Sequence, residues 1–305
     1  MSDIKLFNTK GNQVEVIKGH SVAIEKSLQT LIENNLEIFL GIRLVDSEHS
    51  TGKTHGGRID TLGIDENDCP VIIEYKRSLN ENVINQGLYY LDWLLEYRAE
   101  FVLLAQKIDP KLTSEDINWD GARLICIAGE FTKFDEHAIK QIDHNIELIR
   151  YRRYGEEFLL FELVNASFEE YSEKAITSKP KSVSKSIESN VLEKLGKANT
   201  EVKDRYEALK VYCQSLGDDV QVKALKHYIA FKRIKNFAAV EIHPQDKNII
   251  VFVKVDFNSV LLEEGFTRDV RKIGHFGTGD LEITIRSDED LEKAKPLIVK
   301  SYEDN

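Results

Sequence analysis

Cysteine is scarce in this chain. Cys69, Cys126 and Cys213 are the three in 305 residues, widely spaced and without a Cys-x-x-Cys pair, which argues against a disulfide framework and against structural zinc. Long apolar runs are also missing: no stretch approaches the roughly 20 residues that a membrane-spanning helix needs. The first residues, Met-Ser-Asp-Ile-Lys-Leu-Phe, have no basic flank followed by an apolar core and a cleavage site, so no secretory leader is expected and the protein reads as cytoplasmic. Basic excess is missing as well. Lys and Arg number 41 against 52 Asp and Glu, a net charge of -11, which counts against a protein that wraps a polyanion over a broad surface. A nucleotide-binding loop is lacking too. Thr51-Gly52-Lys53-Thr54 mimics the end of one, but Ser47 stands where its first glycine belongs, so no nucleotide cofactor is expected.

What is present is an ordinary folded chain. Hydrophobic residues make up 42% and charged residues 30%, which excludes wholesale disorder, and the length suits about two domains. The composition changes over Ser172–Ser189, where Ser, Lys and Pro180 dominate. The expected division is therefore a domain over residues 1–170, a linker over 171–188 and a second domain over 189–305.

The most informative stretch is Gly57-Arg58-Ile59-Asp60, followed after a short gap by Val71-Ile72-Ile73-Glu74-Tyr75-Lys76. Alternation along the second run puts Ile72, Glu74 and Lys76 on one face and Val71, Ile73 and Tyr75 on the other. Asp65-Glu66-Asn67-Asp68 is rich in turn formers, so the two runs are expected to pair as an antiparallel hairpin with Asp60 beside Glu74. Two carboxylates suit a hard dication such as Mg2+ or Mn2+, and a nearby lysine suits charge developing on a phosphate. The alternative is a solvated strand face on which Glu-x-Lys occurs by chance. Asn82–Tyr97 has helical spacing, with Gln86 and Tyr90 four apart on one face. Upstream, Ser21 is placed to cap a helix through Ile24, Leu28, Leu31 and Ile32, which carries Glu25, Glu33 and Glu37 as further candidate ligands.

Together, Glu25, Arg58-Ile59-Asp60, Glu74-Tyr75-Lys76, Gln86 and Tyr90 resemble the PD-(D/E)XK nuclease superfamily, and within it the nuclease domain of NucS-type endonucleases. The resemblance spans about Glu25 to Tyr97. It implies a restriction-endonuclease-like α/β core, a mixed sheet flanked by helices, and Mg2+- or Mn2+-dependent hydrolysis. Asp60 and Glu74 would be metal ligands, Lys76 would sit at the attacking water, and Glu25 and Gln86 would support them, with Tyr90 in the same cleft. Ile59 replaces the superfamily's nominal proline, and the DNA-reading N-terminal domain of NucS-type enzymes is missing, which leaves the substrate open. DNA is the expected partner, in repair or in defence against foreign DNA, and RNA is the alternative substrate. A homodimer would suit a duplex cutter. A different class of function is an adaptor that binds nucleic acid or protein and uses the nuclease fold as a scaffold.

Candidate phosphate contacts are Arg58 and Arg77 near the hairpin and Arg150, Arg152 and Arg153 in Ile149–Tyr154, for which a solvated hairpin face is the alternative. Lys232, Arg233 and Lys235 lie in a run from Tyr228 to Phe237 that interleaves cations with aromatics, as a single-strand-binding surface would. Core packing of those aromatics is the alternative.

The rest of the first domain reads as strands Phe101–Ala105 and Arg123–Ala128, a short helix Asp135–Ile142 and two runs around Gly155, preceded by a small hairpin around Lys10-Gly11-Asn12. Glu48, His49 and His55 are read as loop residues, with the histidines facing solvent and Glu48 able to approach the cleft. The second domain reads as a smaller α+β module. A helical run from Val191 to Tyr212 closes near Gly217, five strands follow, and a final helix begins after Ser287. The stretch around Gly274-His275-Phe276-Gly277-Thr278-Gly279 resembles a C-terminal domain of unknown function that accompanies nuclease-like and restriction-associated bacterial proteins. Its glycines are expected to make a tight turn into a strand.

Overall fold

The computed structural model describes residues 4–10, 14–20, 26–76, 83–167 and 190–305. Ser21, Glu25, Arg77 and the 171–188 linker lie outside the described residues. The chain divides into two compact units, Met1–Glu170 and Tyr171–Asn305. Among the described residues no helix is long and apolar enough to cross a membrane.

The first unit begins with β1 (Leu6–Asn8) and β2 (Glu15–Ile17), an antiparallel pair, then β3 (Gly19–His20), α1 (Lys26–Asn34) and α2 (Leu36–Leu40). There follow β4 (Ile42–Ser50), the one-turn α3 (Gly52–His55), β5 (Arg58–Asp65), β6 (Pro70–Lys76), α4 (Val83–Glu96) and α5 (Arg98–Ile108). The unit ends with β7 (Arg123–Ala128), α6 (Lys133–Ala138), β8 (Asn145–Tyr154) and β9 (Phe158–Ser167). The sheet runs β3-β8-β7-β6-β5-β4, with β9 also paired to β8. β5 is antiparallel to both β4 and β6, whereas β6, β7 and β8 are parallel. The sheet is therefore mixed and flanked by helices. The central strands β6 and β7 are buried along their whole length because both of their faces are covered. In β6 every residue is buried, including Glu74 and Lys76.

α4 carries Val83, Ile84, Gly87, Tyr90, Leu91, Trp93 and Leu94 at helical spacing, and all of these are buried. That stripe packs with Ile72 of β6 and Leu124 of β7 in one core. Trp93 is 1% exposed, and its truncation would cost about 3–5 kcal/mol. Phe101–Ala105, read from sequence as a strand, belongs to helix α5. Its apolar run is buried at Phe101 and Ala105, four apart, while Leu103 is 65% exposed. A helix that buries one stripe can carry a continuous apolar run, and five such residues look alike in either state.

A buried ionic triad crosses the sheet. Arg123 at the start of β7 pairs with Asp65 at the end of β5, and its Nε lies 3.1 Å from Glu147 Oε1 on β8. All three side chains are at least 95% buried. Burial pushes the guanidinium's pKa down, but the two carboxylates more than reverse this and hold it above its ordinary value. Asp65 also accepts the backbone N–H groups of Asn67 and Cys69 at 2.8 and 2.9 Å, so the same carboxylate shapes the β5–β6 turn.

The second unit holds α7 (Asn190–Lys197), α8 (Thr200–Ser215), β10 (Gln221–Ala224), β11 (Ile229–Lys232), β12 (Asn236–His243), β13 (Asn248–Val253), β14 (Thr267–Asp269), β15 (Leu281–Ile285) and α9 (Asp288–Asp304). The helical run expected from Val191 is two helices. Asn199 ends the first and caps the second by accepting the N–H of Val202 at 3.0 Å. The sheet is antiparallel in the order β10-β11-β12-β13-β15-β14, and α8 and α9 pack on its core face through Val202, Tyr206, Leu209, Leu291, Ala294 and Ile298. Ser287 caps α9 in a reciprocal box with Asp290. The fully buried Ser301 hydroxyl donates to Phe237 O at 2.5 Å and accepts Lys254 N–H at 3.0 Å, which ties α9 to the sheet. At Gly279 (φ 154°) a Cβ would fall 2.7 Å from Val253 N, so only glycine lets the chain enter β15 there.

The triad generates a stability prediction. Arg123→Ala leaves two buried carboxylates facing each other and should destabilise the first unit by about 3–5 kcal/mol. Urea unfolding monitored at Trp93 and Trp119 measures it, and a loss below about 1 kcal/mol would show that the triad does not hold the sheet.

Candidate functional site

The β5–β6 hairpin builds the site. Thr61 lies opposite Ile73 and Gly63 opposite Val71, a register that brings Asp60 opposite Glu74 one step further along. There the side chains make cross-strand bonds. Asp60 N–H donates to Glu74 Oε1 and Tyr75 N–H donates to Asp60 Oδ2, each at 3.1 Å. Each carboxylate is thereby oriented by the backbone of the opposite strand. Glu74 is 1% exposed, while Asp60 is half-buried.

Lys76 stands two residues beyond Glu74, 6% exposed. Its Nζ lies 3.5 Å from Asp135 Oδ2 and 5.9 Å from the centre of the Phe131 ring. Asp135 is itself fixed by the capping box that opens α6, where it accepts the Thr132 N–H and hydroxyl at 2.7 and 2.9 Å. Cys126 of β7 lies opposite Glu74. Burial drives its thiol pKa up, the negative charges of Glu74 and Asp135 add to this, and Lys76 opposes it. This thiol stays protonated and is no nucleophile. Burial likewise raises the Tyr75 phenol above its ordinary value, with Glu33, Asp60 and Glu74 acting in the same direction. Asp135 was absent from the sequence-derived site, although Thr132-x-x-Asp135 is a legible capping signal. Only the tertiary fold brings it to Lys76.

Gln86 and Tyr90 meet each other rather than the carboxylates. Gln86 Nε2 donates to the Tyr90 hydroxyl at 3.3 Å, and that hydroxyl also accepts the Arg58 N–H at 3.2 Å. Tyr90 therefore anchors the entry to β5. The contact is close enough that a Cβ on Gly57 would fall 2.5 Å from the tyrosine ring, so glycine is required there.

Several expected contributors are placed elsewhere. Glu33 accepts the Thr61 hydroxyl at 2.6 Å and the Ser47 hydroxyl at 2.9 Å. Thr61 and Asp60 are consecutive in β5 and point to opposite faces, so Glu33 does not join Asp60 and Glu74. Glu37 is exposed on α2. Glu48 lies on strand β4, where it pairs with Lys26 and, at 2.6 Å, with Arg58. The hydrogen bond from Lys26 chiefly holds its carboxyl below the ordinary range. His49 is also on β4, 10% exposed, bonded through Nδ1 to Asp46 at 2.7 Å and packed against Trp93. His55 is 6% exposed at the end of α3. The expectation of solvent-facing loop histidines therefore fails, because the Thr51–Gly57 segment folds back onto α4.

The proposed phosphate-contact cations are largely compensated inside the fold. Arg150 is buried and pairs with Glu162 at 2.7 Å and Glu130 at 3.5 Å. Arg152 pairs with Glu130 and Arg153 with Glu156. Lys232 is 4% exposed, Arg233 pairs with Asp219 at 2.8 Å, and Lys235 is half-buried in the β11–β12 turn. Phe231 and Phe237 are buried core residues 6.3 Å apart. The Tyr228–Phe237 run is therefore a core hairpin, and its aromatics are not available for base stacking.

The fold and site define a mixed α/β unit with a carboxylate pair and a lysine at one end of adjoining strands, joined to a C-terminal module. Residues 189–305 match the family described as a domain of unknown function (DUF5655). The whole chain is 31% identical to an uncharacterized protein of Haemophilus influenzae, over 99% of this chain and 100% of that one, and it belongs to the same family. No solved structure matches.

The Lys76–Asp135 pair is testable on its own. Lys76→Met and Asp135→Asn should be non-additive by about 0.5–3 kcal/mol in urea unfolding. Simple additivity would show that Asp135 does not position Lys76.

Proposed function

We propose that this protein is a metal-dependent phosphodiesterase of the PD-(D/E)XK type, an endonuclease that hydrolyses DNA. The observation that carries the reading is the Asp60–Glu74 pair, interlocked across β5 and β6, with Lys76 two residues along the same strand. Two carboxylates are hard oxygen donors, and the Cys126 thiol, pushed up chiefly by burial, also feels the negative charge of Glu74 and Asp135. This donor set fits Mg2+ or Mn2+.

Asp60 and Glu74 would hold the ion, and their backbone bonds preset the direction of both carboxylates before it binds. When bound, such an ion polarises a phosphate oxygen and lowers the pKa of a coordinated water. Lys76 supplies a compact positive charge for the oxygen that gains negative charge at phosphorus. Asp135 restrains the Lys76 ammonium, and the buried setting of Lys76 strengthens its field relative to a solvated lysine. Tyr90 and Gln86 act at one remove, by fixing the backbone at Arg58 two residues before Asp60. Repair, or defence against foreign DNA, is the setting the resemblance implies.

The interlock decides which variants are informative. Asp60→Ala would strand the buried Tyr75 N–H, at a cost of about 1–3 kcal/mol, whereas Asp60→Asn keeps an acceptor and removes the charge. Supercoiled plasmid and short single- and double-stranded DNA and RNA should be incubated with Mg2+, Mn2+ or EDTA. DNA cleavage is expected with either ion, abolished by EDTA and lowered about a hundredfold or more by Asp60→Asn or Lys76→Met. Preference for RNA would move the substrate but keep the chemistry. Retained nucleic-acid binding without cleavage under any metal would favour an adaptor built on this fold.

A further inference from the structure

His55 closes α3 with its side chain 6% exposed. Its ring is bracketed by Tyr89, with centroids 5.0 Å apart, and by the edge-on Tyr97 at 5.7 Å. Nδ1 is buried without a hydrogen-bond partner. Nε2 is aimed between two carboxylates of α4, 3.8 Å from Asp92 Oδ2 and 3.9 Å from Glu96 Oε2, too far for hydrogen bonds. A buried imidazole with neither nitrogen hydrogen-bonded is costly. Asp92 and Glu96 are four residues apart and so share a helix face, and their side chains are 67% and 59% exposed.

We propose that His55, Asp92 and Glu96 form a binding site for a transition-metal dication such as Zn2+. The three ligand atoms lie within 4.8 Å of one another. In a tetrahedral shell two donors about 2.1 Å from one zinc ion stand about 3.4 Å apart. The separations of 3.8 and 3.9 Å from the imidazole exceed this only slightly, and the exposed carboxylates have the rotamer freedom to close the shell without backbone movement. An imidazole nitrogen selects for ions of the Zn2+ and Ni2+ kind over Mg2+, which prefers an all-oxygen shell. This distinguishes the site from the Asp60–Glu74 pair, and the proposal stands whether or not that pair is catalytic.

The ion would act as a clip. The Thr51–Gly57 loop is already closed on itself: Thr51 N–H and hydroxyl donate to Gly57 O, and Gly57 N–H donates back to the Thr51 hydroxyl. It runs straight into β5, beside the Arg58–Tyr90 hydrogen bond. Metal at His55 would fasten this loop to α4 and hold the start of the strand that carries Asp60.

The test uses the full chain carrying Asp60→Asn and Glu74→Gln, which removes the carboxylate pair of β5 and β6. Metal-free protein is titrated with Zn2+ alone by calorimetry and with Co2+ alone by visible absorption. One equivalent should bind, and adding Asp92→Asn with Glu96→Gln should weaken Zn2+ at least tenfold and remove the Co2+ bands. Those two side chains are exposed, so their replacement leaves the fold intact, as circular dichroism will verify. His55→Gln should give the same loss. Zn2+ affinity unchanged by the carboxylate substitutions, or no uptake at millimolar Zn2+, would overturn the proposal.

Discussion

The first unit depends on one buried cation. Arg123 reaches Asp65 and Glu147 from the middle of the sheet, so a single guanidinium joins the antiparallel β5–β6 hairpin to the parallel β7–β8 pair. Because Asp65 also organises the turn between β5 and β6, the pairing register of the hairpin is set at its closed end. A shift of one residue would move every side chain to the opposite face. The juxtaposition of Asp60 and Glu74, at the open end, is thus determined some distance away, by an interaction that touches neither residue.

The same sheet accounts for the electrostatics. A chain of net charge -11 would not be expected to present a broad cationic surface, and the arginines of β8 are matched by Glu130, Glu156 and Glu162. Lys76, two residues from Glu74, is partnered by Asp135. A polyanionic substrate would therefore depend on a bound ion for most of its local attraction, since an ion is often the largest charge in such a site.

Much of this was legible in the sequence because it was local. The alternation of Val71–Lys76, the turn formers at Asp65–Asp68 and the helical spacing of Val83–Glu96 each have a period or a composition that a single strand or helix imposes. What was not legible was tertiary. Asp135 reaches Lys76 through the fold, Glu33 is drawn to Thr61 on the opposite face from Asp60, and His55 is buried only because Gly56 (φ 60°) turns the chain back. Phe101–Ala105 misled for a different reason: five apolar residues carry no period. Arg150 and Lys232 looked like surface cations because a sequence shows charge but not the carboxylate that cancels it or the core that covers it.

The C-terminal sheet ends in β10, four residues with Lys223 among them, and β14, three residues that include Arg268 and Asp269. Strands this short and this charged make poor templates for another chain's backbone. The module can be carried beside a partner domain without inviting edge-to-edge association. A partner of this module would have to be met by side chains and loops rather than by an added strand.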